Sequence, residues 1–206
     1  MRANLLMTSV LAVGAVALSS CGDTESTTTP ARPAPAGDAA AHAGSTDATR
    51  ATTTESGTVE LRDNDGEAVG TVSLTQAPTG LLMRVEVNGL TPGWHGIHIH
   101  ETGDCGDAAF QNAGGHINHA QAVPHGLLNP QGPDDGDLPN IHADENGQAR
   151  AEIFTTRARI AGSGAGQWLW DDDGSAIVIH ANPDDHTSQP IGGAGDRVAC
   201  AVVERG

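Results

Sequence analysis

His98 and His100 are separated by one residue in the run Gly96-Ile97-His98-Ile99-His100. On a β-strand that spacing sends both imidazoles to one face and Ile99 to the other. Paired imidazoles of this kind are ligands for copper or zinc. An ordinary strand with a polar face toward solvent would read the same way, so the pair gains meaning only from the elements around it.

Those elements are short alternations of apolar and polar residues. They run Thr58-Val59-Glu60-Leu61, Val69 to Leu74, Leu81 to Val87, Gly96 to His100, Ala149 to Phe154, Ala176 to His180 and Arg197 to Val203. Period-two patterning predicts strands. Turn residues such as Asn64-Asp65-Gly66 and Asn88-Gly89 fall between the early ones, as a hairpin meander requires. No segment sustains helical periodicity, which makes the class an all-β sandwich or barrel. Two stretches interrupt the rhythm, 101–140 and 181–196, and both are crowded with Gly, His, Asp and Pro. Long loops in a compact domain are usually functional.

Ahead of the strands lies a different kind of chain. A charged start and the apolar run Leu5 to Leu18 predict a signal peptide over residues 1–20, since the run is too short to span a bilayer. Leu18-Ser19-Ser20-Cys21 resembles a bacterial lipobox, which implies a lipidated Cys21; a soluble export signal with an incidental cysteine is the alternative. Residues 21–56 are rich in Thr, Ala, Pro and Ser and lack apolar area to offset chain entropy, so they read as a disordered tether, His42 included. Residues 57–206 form one domain's worth of chain. The expected place is the cell envelope, periplasmic or at the outer surface, with the lipid as membrane anchor.

Cys105 and Cys200 remain, and in an oxidising compartment they should pair as a disulfide, a metal–thiolate pair being the other option. A formal net charge of −16, with no lysine anywhere, argues against nucleic-acid binding.

The loop and strand motifs, taken together, resemble the copper/zinc superoxide dismutases. His95 to Glu101, Gly103-Asp104-Cys105, Gly114-Gly115-His116, His125-Gly126, Gly136 to Asn140, Ala176 to Asp185 and Gly195 to Cys200 follow that family in order and spacing. The resemblance implies a Greek-key barrel of about eight antiparallel strands with two long functional loops. It implies copper ligands His98, His100, His116 and His180, with His116 also bridging to zinc, whose other ligands would be His125 and Asp137. It implies catalytic roles for Arg197, docking the anionic substrate superoxide, and for His116, supplying a proton. Asp184 matches the carboxylate joining His98 to His125, although an Asx turn would account for it too. Cys105 and Cys200 match the family disulfide, His95 reads as a buttress, and a homodimer is left open.

One position departs from that pattern. The family usually has a zinc-binding histidine three residues before the aspartate, and Asp134 stands there. A carboxylate is a legitimate zinc ligand, so His116, His125, Asp134 and Asp137 form the expected set. His119 and Asp135 are spare candidates, and a copper-only site is the competing account. The second loop also lacks the lysines that often steer superoxide. A non-catalytic copper-buffering lipoprotein on the same scaffold is the alternative function, because fold does not fix activity.

Overall fold

Residues 54–118 and 122–205 are described in the computed structural model. The export segment, Cys21, nearly all of the tether with His42, and His119 lie outside them.

Strand β1 (Ser56–Asp63), β2 (Ala68–Ala77) and β3 (Gly80–Val87) form an antiparallel meander. The Asn64-Asp65-Gly66 turn closes the first hairpin because Gly66 takes φ 82°, and the Asp63 carboxylate accepts the N–H groups of Asp65 and Glu67. Alternation in β3 buries Leu81, Met83, Val85 and Val87 while Arg84 and Glu86 face out. The chain continues through β4 (Gly93–His95), β5 (Ile97–His100), β6 (Ile141–Ala143), β7 (Ala149–Thr155), β8 (Ala158–Arg159), β9 (Gln167–Trp168), β10 (Ser175–His180) and β11 (Arg197–Val203).

One sheet of nine strands runs in the order β4-β6-β7-β3-β2-β1-β11-β10-β5. Its two terminal strands, β4 and β5, are joined by Gly96 alone, so the chain itself brings the sheet's ends together into a nearly closed barrel. The expected strand count of about eight differs from the observed one for local reasons. Gly96 divides β4 from β5, and β8 and β9 add a small parallel pair outside the main sheet. The two loops occupy the intervals between β5 and β6 and between β10 and β11, as their composition predicted.

Strand β5 and its neighbour β10 are nevertheless buried on both faces. Ile97, Ile99, Ile177 and Ile179 point into the barrel core with Leu61, Val72 and Met83. On the opposite face, Ala176 and Val178 pack with Phe110, Ala113 and Cys200 in a second cluster beneath the first long loop. Ala176 pairs with His100 and Val178 with His98, so both histidines stand on a wall anchored by two apolar layers.

Candidate metal centre

Strand alternation sends His98 and His100 out through the barrel wall, and β10 ends at His180 beside them. The first loop is then stitched to the open edge of β5. Ile117 N–H donates to Ile99 O at 3.0 Å, Ile99 N–H to Gly136 O at 2.9 Å, and Gly136 N–H to Ile117 O at 3.0 Å. Gly136 must be glycine, because a Cβ there would lie 2.3 Å from Ile99 O. This stitching sets His116 opposite His100 and Asp137 opposite His98.

Four imidazoles converge as a result. Ring centroids lie 4.2 Å apart for His98 and His116, 4.8 Å for His98 and His180, 5.1 Å for His100 and His116, and 5.8 Å for His100 and His180. In each ring one nitrogen has a fixed partner. His98 Nε2 donates to Asp184 Oδ2 (2.9 Å), His100 Nδ1 to Gly114 O (3.0 Å), His180 Nδ1 to Gly195 O (3.1 Å) and His116 Nδ1 to Asp134 Oδ2 (3.0 Å). The other nitrogen of each ring, His98 Nδ1, His100 Nε2, His116 Nε2 and His180 Nε2, is buried and has no hydrogen-bond partner. Four buried ring nitrogens without hydrogen-bond partners are what a metal ion satisfies.

Electrostatics divide this cluster into two halves. Burial pushes His98 down to about 3, His100 to about 2 and His180 to about 4, so these rings are neutral and ligand-ready at pH 7. Burial also opposes charge on His116 and His125. There, hydrogen bonds outweigh it: Asp134 and Asp137 raise His116, and Asp137 with Asp184 raise His125 to about 10.

The acidic half contains a second donor group, His116, His125, Asp134 and Asp137, whose ligating atoms lie within 4.8 Å of one another. Each carboxylate presents one oxygen to it and ties the other to the backbone. Asp134 Oδ1 accepts Gly136 N–H (3.0 Å), and Asp137 Oδ2 accepts Gly126 N–H (2.7 Å) and Asp134 N–H (3.0 Å). Asp137 Oδ1 faces His125 Nδ1 and, at 3.4 Å, His116 Nδ1. Donors of two imidazoles and two carboxylates suit zinc. Asp135 is buried nearby but is not one of the four.

Asp184 lies between the halves. Its Oδ2 takes His98 and its Oδ1 takes His125 Nε2 at 3.1 Å; the same Oδ1 accepts His186 N–H and closes an Asx turn. Burial pushes its carboxyl up, but the hydrogen bonds from His125 and His98 outweigh that and hold it well below the usual range. Asn140 brackets the Asp184 backbone, accepting its N–H at 2.9 Å and donating to its carbonyl at 2.8 Å. His95 spans the carbonyl oxygens of His180 and Thr91, each at 2.7 Å, and contributes no atom to either donor group.

Arg197 opens β11, with its guanidinium donating to the carbonyls of Phe110 and, at 2.6 Å, Gly114. With His100, His116, His125, Asp134 and Pro190 it lines one cleft over the imidazoles. The Cys105–Cys200 disulfide expected from the sequence is present, with Cα atoms 5.9 Å apart, and fastens the loop that carries Phe110 and Gly114 to β11. Sequence reasoning passed over Gln189 and His186. Gln189 brackets the His125 backbone from the second loop, and no motif signals it.

Comparison with known proteins agrees with this geometry. Residues 68–203 match the family model described as copper/zinc superoxide dismutase. A superoxide dismutase [Cu-Zn] of Caulobacter vibrioides is 52% identical over 149 residues, covering 72% of this chain and 86% of that protein. Superoxide dismutase [Cu-Zn] 2 of Aquifex aeolicus is 39% identical over 70% of this chain and 84% of its own length. Among solved structures, Cu/Zn superoxide dismutase from Brucella abortus superposes with a TM-score of 0.58 at 30% identity, covering 73% of this chain and 100% of that one. A SOD-like protein from Bacillus subtilis superposes with a TM-score of 0.67 at 33% identity, covering 72% and 99%.

Proposed function

The chain belongs to the copper/zinc superoxide dismutase family of oxidoreductases, and from that premise we propose that it converts superoxide to oxygen and hydrogen peroxide at a copper site of His98, His100, His116 and His180. The observation that carries the proposal is the set of four buried ring nitrogens without hydrogen-bond partners, three of which, on His98, His100 and His116, belong to rings whose ligating atoms lie within 4.8 Å of one another. Copper bound there would supply one-electron chemistry, taking an electron from one superoxide and returning it to the next.

The remaining work belongs to the chain. Arg197 holds a fixed positive charge in the cleft beside His100, aimed by two carbonyls, and docks the anion through charge-assisted hydrogen bonds. His116 Nε2 is the atom that holds a proton whenever it is free of metal and passes it to the reduced product, while Nδ1 stays on the carboxylate side. His116, His125, Asp134 and Asp137 would hold zinc, each carboxylate through a single oxygen. Export and lipidation at Cys21, which lie outside the described residues, complete the proposal: a membrane-tethered enzyme meeting superoxide outside the cytoplasm.

A copper-buffering module would have no use for Arg197 in the cleft. The test is superoxide consumption by the copper- and zinc-loaded protein against the Arg197→Ala form. Rapid consumption that falls with the substitution supports dismutation; stoichiometric copper with no turnover refutes it and leaves buffering.

A further inference from the structure

His186 lies in the second loop at φ 61°, a left-handed backbone that a residue with a Cβ adopts at a cost. It corresponds to none of the ligand or docking positions. Four groups nevertheless meet on it. Its N–H donates to Asp184 Oδ1 at 2.6 Å and its carbonyl accepts Leu128 N–H at 3.0 Å, beside the segment carrying His125. Its ring, with 19% of the side chain exposed, places Nδ1 3.3 Å from Asp184 Oδ2 and Nε2 3.3 Å from Asn140 Nδ2.

The ring's tautomer follows from its neighbours. Asn140 is oriented by two backbone groups, its Oδ1 accepting Asp184 N–H and its Nδ2 donating to Asp184 O. Nδ2 therefore presents its second N–H to His186 Nε2, which must accept. That leaves the proton of a neutral ring on Nδ1, facing the carboxylate. His186 thus borders both oxygens of Asp184: its backbone N–H is hydrogen-bonded to Oδ1, while its ring Nδ1 lies 3.3 Å from Oδ2, an electrostatic contact without a formed hydrogen bond.

We propose that His186 is a positioning residue that stops the Asp184 carboxylate from rotating about Cβ–Cγ and so keeps it on His98 and His125 together. The proposal rests on the metal-site reading above. A carboxylate free to turn would leave one of those imidazoles without its orienting acceptor, and partners of this rank govern metal retention.

Three substitutions test it, each tolerating a left-handed backbone. His186→Gly keeps the backbone contacts and removes the ring. His186→Asn sets an amide N–H where Nδ1–H was, and His186→Asp sets a carboxylate oxygen there, against Asp184. In the copper- and zinc-loaded protein, the rate of zinc loss to a chelator should stay within about twofold of native for Asn. It should rise about three- to tenfold for Gly, and more than about tenfold for Asp, judged from the usual 10–100-fold effect of direct partners. The Cu(II) spectrum should shift in the same order. Equal rates in all three, whether native or uniformly raised, overturn the proposal, because a backbone role alone does not distinguish these side chains. If the native chain takes up neither metal, the metal-site reading has failed independently. Nitrogen NMR of the metal-free protein then decides, a proton on His186 Nδ1 supporting the proposal and one on Nε2 overturning it.

Discussion

His100 and Arg197 share one acceptor: the carbonyl oxygen of Gly114 takes His100 Nδ1–H at 3.0 Å and a guanidinium N–H of Arg197 at 2.6 Å. The group that would face the substrate and a ring that would face copper are therefore set by one peptide. Gly114 itself sits at φ 75°, where a Cβ would meet the Glu101 carboxylate at 2.6 Å, so no other residue places that carbonyl as well.

Arg197→Lys is accordingly not a conservative change. A single ammonium cannot span the Phe110 and Gly114 carbonyls in the planar fork of a guanidinium. The rate of superoxide consumption should fall by roughly tenfold or more in both Arg197→Lys and Arg197→Ala, on the scale of one lost electrostatic donor. Copper content, measured in parallel, should remain native.

His180→Ala removes one of the four buried ring nitrogens from the face of β10 opposite the main core. Copper binding and activity should be lost while circular dichroism still reports the barrel. An active His180→Ala protein would mean that copper is held elsewhere.

Metal uptake should move protons unequally. His98, His100 and His180 are neutral at pH 7, so their engagement releases none. His125, raised to about 10, must give one up, and His116, also raised, adds to the release, so zinc uptake near neutrality should release at least about one proton. The sign is fixed by this: zinc affinity falls as pH falls. In the metal-free fold the raised His125 value stabilises below its ordinary pKa of 6.5 and that stability is lost as pH climbs through about 10. Titration of zinc into weakly buffered protein, read with a pH indicator, checks the count.

Asp134→His restores three imidazoles around the second site. It should slow zinc loss to a chelator at acid pH and leave the Cu(II) spectrum in place, since Asp134 touches only the Nδ1 side of His116. Unchanged zinc loss would show that the carboxylate serves as well as an imidazole.

Replacing Cys105 and Cys200 by alanine should cost about 2–5 kcal/mol, read as a lower denaturation midpoint. Activity should fall further than stability explains, because the bridge fastens to β11 the loop whose carbonyls aim Arg197.

The strand pattern was legible where alternation ran for four residues or more, as in β3 and β5. It was silent for β4, β6, β8 and β9, whose two or three residues carry no period. Both long loops were bounded correctly because strands end where Gly, His, Asp and Pro accumulate. Spacing made the His98 and His100 pair visible, but not what holds them. Gly114 acts through a main-chain carbonyl that every residue owns. His186 and Gln189 act across two loops that meet only after folding, so no local pattern marks either one.

Gly96 carries a further consequence. Because it joins the first and last strands of the sheet, and because Ile117 and Gly136 cover the far side of β5, the long strands present no open row of main-chain donors and acceptors. Such a row is what recruits a second chain into edge-to-edge aggregation. A side chain at Gly96 would press on the Ala194 methyl of the second loop at 3.0 Å, prying at this seam. Damage there would be expressed first as self-association in concentrated solution, ahead of any lost chemistry.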